Sequence, residues 1–115
     1  MAEDCLFCKI AAGEVPSTEV YSDEDIYAFQ NINPAAPTHV LIIPRKHIER
    51  ITDAEPEDAA LLGRMMLAAT EVARREGTAD DGFRCVINCN AWGGQEIFHV
   101  HMHLLGGRQL GWPPG

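Results

Sequence analysis

Between positions 55 and 76, Leu61, Leu62, Met65, Ala69, Val72 and Ala73 return at spacings of three and four. That period lays one apolar stripe along a helix with a charged opposite face, and it predicts a helix over Glu55–Glu76. Thr52 and Glu55 have the spacing of a capping box at its start, Pro56 suits a first turn, and Gly77 is placed to end it in a left-handed conformation. Elsewhere the apolar runs are short. Val20–Ser22, Ile26–Phe29, His39–Ile43, Phe83–Asn88 and Phe98–Leu105, each bounded by Pro, Gly, Asn or Asp, read as strands. Asp4–Ile10 reads as a second, short helix. Pro34 and Pro37 break the chain before the His39 strand, and Asn88–Gly94 is a polar, glycine-containing loop leading into the last strand. Five strands with one long helix predict an α+β domain. The ending Trp112-Pro113-Pro114-Gly115 cannot continue a helix or a central strand and is expected as an extended arm.

A length of 115 residues fits one core, so a single domain over 1–115 is expected. With 46% hydrophobic and 23% charged residues the chain has the balance of a globular protein. Its net charge of -8 argues against binding nucleic-acid polymers through their phosphates, which requires a surplus of Lys and Arg. Met1–Ile10 carries acids and no apolar run behind a basic start, so neither a signal peptide nor a membrane span is expected, and the address is cytoplasmic. In that setting the four cysteines read as thiols or metal ligands and not as disulfides. Cys5-x-x-Cys8 is a half-site for zinc, since thiolates two residues apart reach one tetrahedral ion. Cys85 and Cys89 read as small apolar residues without a role.

The candidate chemistry lies near the C-terminus. His99, His101 and His103 alternate with Val100, Met102 and Leu104, so on a strand the three imidazoles share one face, about 7 Å apart, while the apolar residues enter the core. Such a row suits reactions at phosphorus, where one neutral ring attacks while another donates a proton. It equally suits a zinc ion with water in its fourth position, and single histidines of this kind are often plain strand residues. Gly93-Gly94-Gln95, just upstream, lets main-chain N–H groups approach an anion closely.

The run Gly93-Gly94-Gln95-Glu96-Ile97-Phe98-His99-Val100-His101-Met102-His103-Leu104-Leu105-Gly106-Gly107-Arg108 closely resembles the signature of the histidine-triad (HIT) nucleotide-binding proteins. The resemblance extends back through Asn33-Pro34-Ala35-Ala36-Pro37-Thr38-His39-Val40-Leu41-Ile42-Ile43-Pro44 and forward to Trp112-Pro113-Pro114-Gly115, an ending that points to the HINT branch. It implies a five-stranded antiparallel sheet with one long and one short helix, joining a second copy into a continuous sheet. The helix would supply dimer surface, and each Trp112 arm would reach towards the partner's site.

In activity, the resemblance implies hydrolysis of purine nucleoside 5'-phosphoramidates, with no cofactor needed for catalysis. His101 would be the nucleophile, its tautomer fixed through a main-chain carbonyl near His99. His103 would contact the phosphate or leaving group, with His39 supporting proton movement. Phe7, Ile10, Phe29, Gln30, Asn31 and Ile32 fall where the family builds its base and ribose pocket, and Ile97 is a further substrate-binding position. Asn88 and Gly94 would position phosphate. Two positions depart from other members: many have an acid where this chain has Asn31, whose amide can still hydrogen-bond a ribose hydroxyl, and some have a serine where it has Glu96, a carboxylate that repels phosphate unless it faces a cationic leaving amine. Some members complete a structural zinc site with residues that here are Cys5, Cys8, His47 and His99. The rival readings are a binding module whose triad recognises phosphate without turnover, and a hydrolase of dinucleoside polyphosphates.

Overall fold

In the computed structural model, which describes residues 4–115, the chain runs α1 (Leu6–Ala11), β1 (Glu19–Ser22), β2 (Ile26–Gln30), β3 (Thr38–Pro44), α2 (Ala59–Glu76), β4 (Phe83–Ile87), α3 (Asn90–Gly93) and β5 (Met102–Gly106). Met1, Ala2 and Glu3 of the expected 1–115 domain lie outside the described residues. The five strands form one sheet in the order β1-β2-β3-β5-β4, with every neighbouring pair antiparallel. No helix among the described residues is long and apolar enough to cross a membrane.

The helices cover the inner strands on both faces. Met65, Ala68, Ala69 and Val72 of α2 pack on Val40, Ile42, Met102 and Leu104. Phe7 and Ile10 of α1 pack with Phe29, Leu41 and Ile43 on the other side. This double cover explains why β3 reads as an unbroken apolar run and not as an alternation. In the β3–β5 register Leu41 faces His103 and His39 faces Leu105, so His39 and His103 are diagonal neighbours on the α1 face.

Gly77 ends α2 with φ +76, as the sequence predicts. The start of α2 differs. Thr52 lies in a single 3-10 turn (Ile51–Asp53), and a second such turn (Pro56–Asp58) precedes the helix proper. There the Glu55 N–H donates to Asp58 Oδ2 at 2.9 Å, while Lys46 Nζ donates to Oδ1 of the same buried carboxylate at 2.6 Å. The box therefore forms one turn later than Thr52–Glu55, because Asp58 has two donors converging on it. The last strand also differs: it begins at Met102, not Phe98. Residues 98–101 leave the ladder because the Val100 N–H donates to the Ile48 carbonyl at 2.7 Å, outside the sheet. The side chains still alternate, with Val100, Met102 and Leu104 in the α2 core.

Candidate active site

β3, β5 and the residue that precedes β5 bring His39, His103 and His101 together, and their hydrogen bonds settle where each proton lies. A carbonyl only accepts, so the 2.7 Å contact of His101 Nδ1 with the His99 carbonyl fixes the hydrogen on Nδ1 and leaves Nε2 as a lone pair. The Ala35 N–H donates to His39 Nδ1 at 2.9 Å, which places the hydrogen of neutral His39 on Nε2. That Nε2–H donates to His103 Nδ1 at 2.9 Å, which in turn places the hydrogen of neutral His103 on Nε2. Asn31 Nδ2, 3.3 Å from His39 Nε2, therefore meets another hydrogen-bearing nitrogen, and its amide is anchored instead by the Asn33 N–H donating to Oδ1 at 2.9 Å. The rings of His101 and His103 are 5.1 Å apart between centroids, and the Phe7 ring stands edge-on to His101 at 5.1 Å.

Burial pushes His101 below the ordinary imidazole value of 6.5, opposed by its hydrogen bond to the His99 carbonyl. Burial also lowers His39. His103 falls furthest, to about 4, through burial and then repulsion from His101 and His39. A second proton on His103 would also need Nδ1, which His39 already occupies. The folded chain thus binds fewer protons than the unfolded chain between about pH 4 and 6.5, so this stability is complete above pH 6.5 and is lost as pH falls towards 4. The His103 contribution should be roughly 1–2 kcal/mol between pH 7 and pH 5 after allowing for its partial exposure. Urea midpoints at the two pH values check this, and His103→Gln should show a smaller difference than the wild type.

A second cluster adjoins the first. Cys5 Sγ, Cys8 Sγ, His47 Nδ1 and His99 Nδ1 all lie within 4.8 Å of one another, and they are the one such group of potential metal donors among the described residues. The separations are 3.3 Å for Cys5–His99, 3.3 Å for Cys8–His47, 3.5 Å for Cys8–His99 and 3.3 Å between the two nitrogens. Four donors around a tetrahedral zinc should stand about 3.5 Å apart for sulfur–nitrogen pairs and about 3.3 Å for nitrogen pairs. His99 Nε2 donates to the Pro44 carbonyl at 2.8 Å, so its Nδ1 is a lone pair aimed at the other three donors. With no cation among them, burial and the adjacent Cys5 raise the Cys8 thiol to about 11, so thiolate there calls for a positive partner. The donor set fits zinc. The row of three triad histidines is not itself a metal-ligand group, since His99 turns its free nitrogen to the cysteines.

Of the other expected residues, Phe7, Ile10, Phe29 and Ile97 gather in one apolar cluster on the α1 face, with Phe7 and Phe29 edge-on at 5.5 Å. Asn31 joins His39. Gln30 and Ile32 are exposed at the end of β2, and Glu96 is exposed on the loop before the triad. Asn88 is half-buried, and Gly94 follows it with φ +86, a left-handed conformation that favours glycine. Sequence reasoning missed Gln95, whose buried amide accepts from the Asn90 N–H at 2.9 Å and donates to the Glu49 and Ile97 carbonyls at 2.8 and 3.1 Å. It ties the glycine loop to the segment that carries His47. Its place in the Gly-Gly-Gln run was the available signal.

Comparison with known proteins agrees with this geometry. The family model of the HIT domain matches residues 12–110. The purine nucleoside phosphoramidase of Escherichia coli K12 is 50% identical over 111 residues, covering 96% of this chain and 93% of that protein. The crystal structure of a HIT family hydrolase from Legionella pneumophila superposes with a TM-score of 0.95 at 54% identity, covering 96% of this chain and 99% of the other. A histidine triad protein from Clostridium difficile superposes with a TM-score of 0.91 at 41% identity over 94% of each chain. Sequence, fold and the paired histidine strands together place this chain in the HIT domain family.

Proposed function

We propose that this chain hydrolyses purine nucleoside 5'-phosphoramidates to a nucleoside monophosphate and an amine, through a nucleotidyl intermediate on His101, as a cytoplasmic homodimer. The observation that carries the reading is the Nδ1–H of His101 donating to the His99 carbonyl at 2.7 Å, which leaves Nε2 free to attack. Burial keeps that ring neutral at ordinary pH. Attack on phosphorus breaks the P–N bond as the leaving nitrogen takes a proton from solvent, and the amine departs; the water that attacks in the second step gives one proton back to solvent. Water then breaks the P–Nε2 bond, releasing the monophosphate and neutral imidazole. This sequence asks for no cofactor.

His103 offers Nε2–H to a phosphate oxygen, where charge builds as the bond order at phosphorus changes. The hydrogen-bond directions favour His39 as support for His103 over proton movement, since both its nitrogens are engaged at 2.9 Å. Phe7, Ile10, Phe29, Gln30, Asn31, Ile32 and Ile97 would hold base and ribose, Asn88 and Gly94 the phosphate, and Glu96 a cationic leaving amine. The name of the Escherichia coli relative supports phosphoramidates over dinucleoside polyphosphates. Incubation with adenosine and guanosine 5'-phosphoramidates, and separately with a diadenosine polyphosphate, tests this by monophosphate release. Release from the phosphoramidates is expected. AMP from the polyphosphate alone would move the chain to the sister activity, and nucleotide binding without release would make it a binding module.

Cys5, Cys8, His47 and His99 would hold a structural zinc. Four protein ligands leave no place for water, so the ion would supply cohesion and no Lewis-acid chemistry. β4 supports the dimer: it is an outer strand with no strand on its far side among the described residues, beside an apolar depression of about 320 Å³ lined by Met65, Met66, Cys85, Ile87 and Met102. Pairing β4 with its copy about a two-fold would set the Phe83 end of one strand beside the Ile87 end of the other. Arg84 Nη2 donates to the Gly111 carbonyl at 2.7 Å and its guanidinium lies 5.7 Å over the Trp112 ring. The arm is thereby tied to the Phe83 end, which this pairing would set beside the partner's segment 88–94, where α3 lies. Met66→Glu combined with Ile87→Asp should give a monomer in sedimentation velocity, and an unchanged dimer would contradict this interface.

A further inference from the structure

The cluster of four donors and the nucleophile share one residue. His99 gives Nδ1 to the cluster, Nε2–H to the Pro44 carbonyl, and its own main-chain carbonyl to His101 Nδ1–H. Among the described residues, no second hydrogen bond holds the His101 ring. A further path runs through α1. Phe7 lies between the two cysteines in sequence, and its ring packs edge-on to both His101, at 5.1 Å and 89°, and His99, at 6.1 Å and 69°. The segment that carries both thiols therefore also carries the wall of the nucleophile.

We propose that a metal ion held by Cys5, Cys8, His47 and His99 positions His101, by pinning both the carbonyl that selects its Nδ1–H tautomer and the Phe7 ring that sets its orientation. This rests on the zinc reading given above. Cys5, Cys8 and His47 are then positioning residues, since none carries out the reaction.

Local stabilities point the same way. α1 spans six residues, far short of what holds a helix alone, so it depends on its attachments. Those are Phe7 and Ile10 in the core, Arg45 Nη1 donating to the Ala11 carbonyl at 2.8 Å near its end, and the cysteines at its start. Cys5 is its N-cap, with the Cys8 N–H donating to Cys5 Sγ at 3.3 Å. Without a cation, the cluster presents sulfur and nitrogen lone pairs to one another at 3.3 to 3.5 Å with too few hydrogens to bridge them. Those contacts then open and α1 frays from its thiol end, which withdraws the Phe7 ring from His101, while the His99 carbonyl keeps only the anchors that the Val100 N–H on Ile48 and His99 Nε2–H on Pro44 provide. His101 is released to the Nε2–H tautomer, whose hydrogen covers the lone pair required for attack.

The test uses the full chain labelled with 15N-histidine, zinc-loaded and chelator-stripped, without substrate. Metal content is measured by atomic emission, and the His101 signals are assigned by their loss in His101→Ala. The loaded protein should show a single His101 tautomer with unprotonated Nε2. The stripped protein should show mixed tautomers, and its kcat should fall roughly 10- to 100-fold with a smaller change in KM. His47→Ala keeps both cysteines and carries the same test if stripping unfolds the chain; it too should show mixed tautomers. One unchanged tautomer in stripped protein and in His47→Ala, after zinc is shown to bind the wild type, overturns this inference and leaves the zinc site standing. Failure of the wild type to take up zinc overturns both.

Discussion

Replacing His101 with alanine should lower turnover of adenosine 5'-phosphoramidate by roughly 10⁴-fold or more, with the fold and the dimer retained. No neighbouring group can take over the attack. Nδ1 of His39 accepts from Ala35 and Nδ1 of His103 accepts from His39. Their remaining nitrogens carry hydrogens, and the free nitrogen of His99 faces Cys5, Cys8 and His47. His101 is only 6% exposed, so its removal leaves a gap beside Phe7 and an unpaired carbonyl on His99. His101→Asn, whose amide can still donate, is the control for that structural loss. It should be equally inactive and more stable. Single-turnover AMP release, circular dichroism and sedimentation read these outcomes; a variant retaining a tenth of wild-type turnover would contradict a nucleophilic role.

His103→Ala should cost roughly 10²- to 10³-fold in kcat, the loss expected when one preorganised donor to a developing oxyanion is removed. The effect of His39→Ala on kcat should pass through His103, because the 2.9 Å hydrogen bond that orients that ring is the one contact of His39 with a group assigned to the reacting phosphate; its others are to the Ala35 N–H and to Asn31, which is assigned to the ribose. Removing His39 from the His103→Ala background should therefore change kcat by less than about twofold. Additive losses would show that His39 acts on the substrate or on a proton by a separate route. His39→Gln, which can still donate from a side-chain amide, should recover part of the activity lost in His39→Ala.

Much of this site was legible in the sequence because side-chain identity and period carry it. The stripe from Leu61 to Ala73 gave α2, Gly77 gave its end, and Cys5-x-x-Cys8 gave half of the donor set. The alternation of His99, His101 and His103 with apolar residues gave the facing of the triad. It could not give the strand's first residue, since alternation persists after the main chain leaves the ladder at His101. Thr52 had the spacing of a cap, but the choice between it and Asp58 was made by Lys46, a partner 12 residues from Asp58 and outside any local pattern. His47 and His99 stand 39 and 91 residues from Cys8, separations that no period encodes, so only the family resemblance joined them. The main-chain partners were the least legible. Ala35 and Pro44 act through an N–H and a carbonyl that every comparable residue possesses, yet they decide which nitrogens of His39 and His99 carry hydrogen.

The central claim is that phosphorus becomes bonded to His101 during turnover. Mixing the enzyme with adenosine 5'-phosphoramidate for milliseconds, quenching in alkali to preserve a P–N bond, and mapping the digest by mass spectrometry tests it directly. An adenylyl adduct on His101 that forms and decays at rates sufficient for turnover is the predicted result. AMP release at full rate with no adduct, or with the adduct on His103 or His39, would contradict the account.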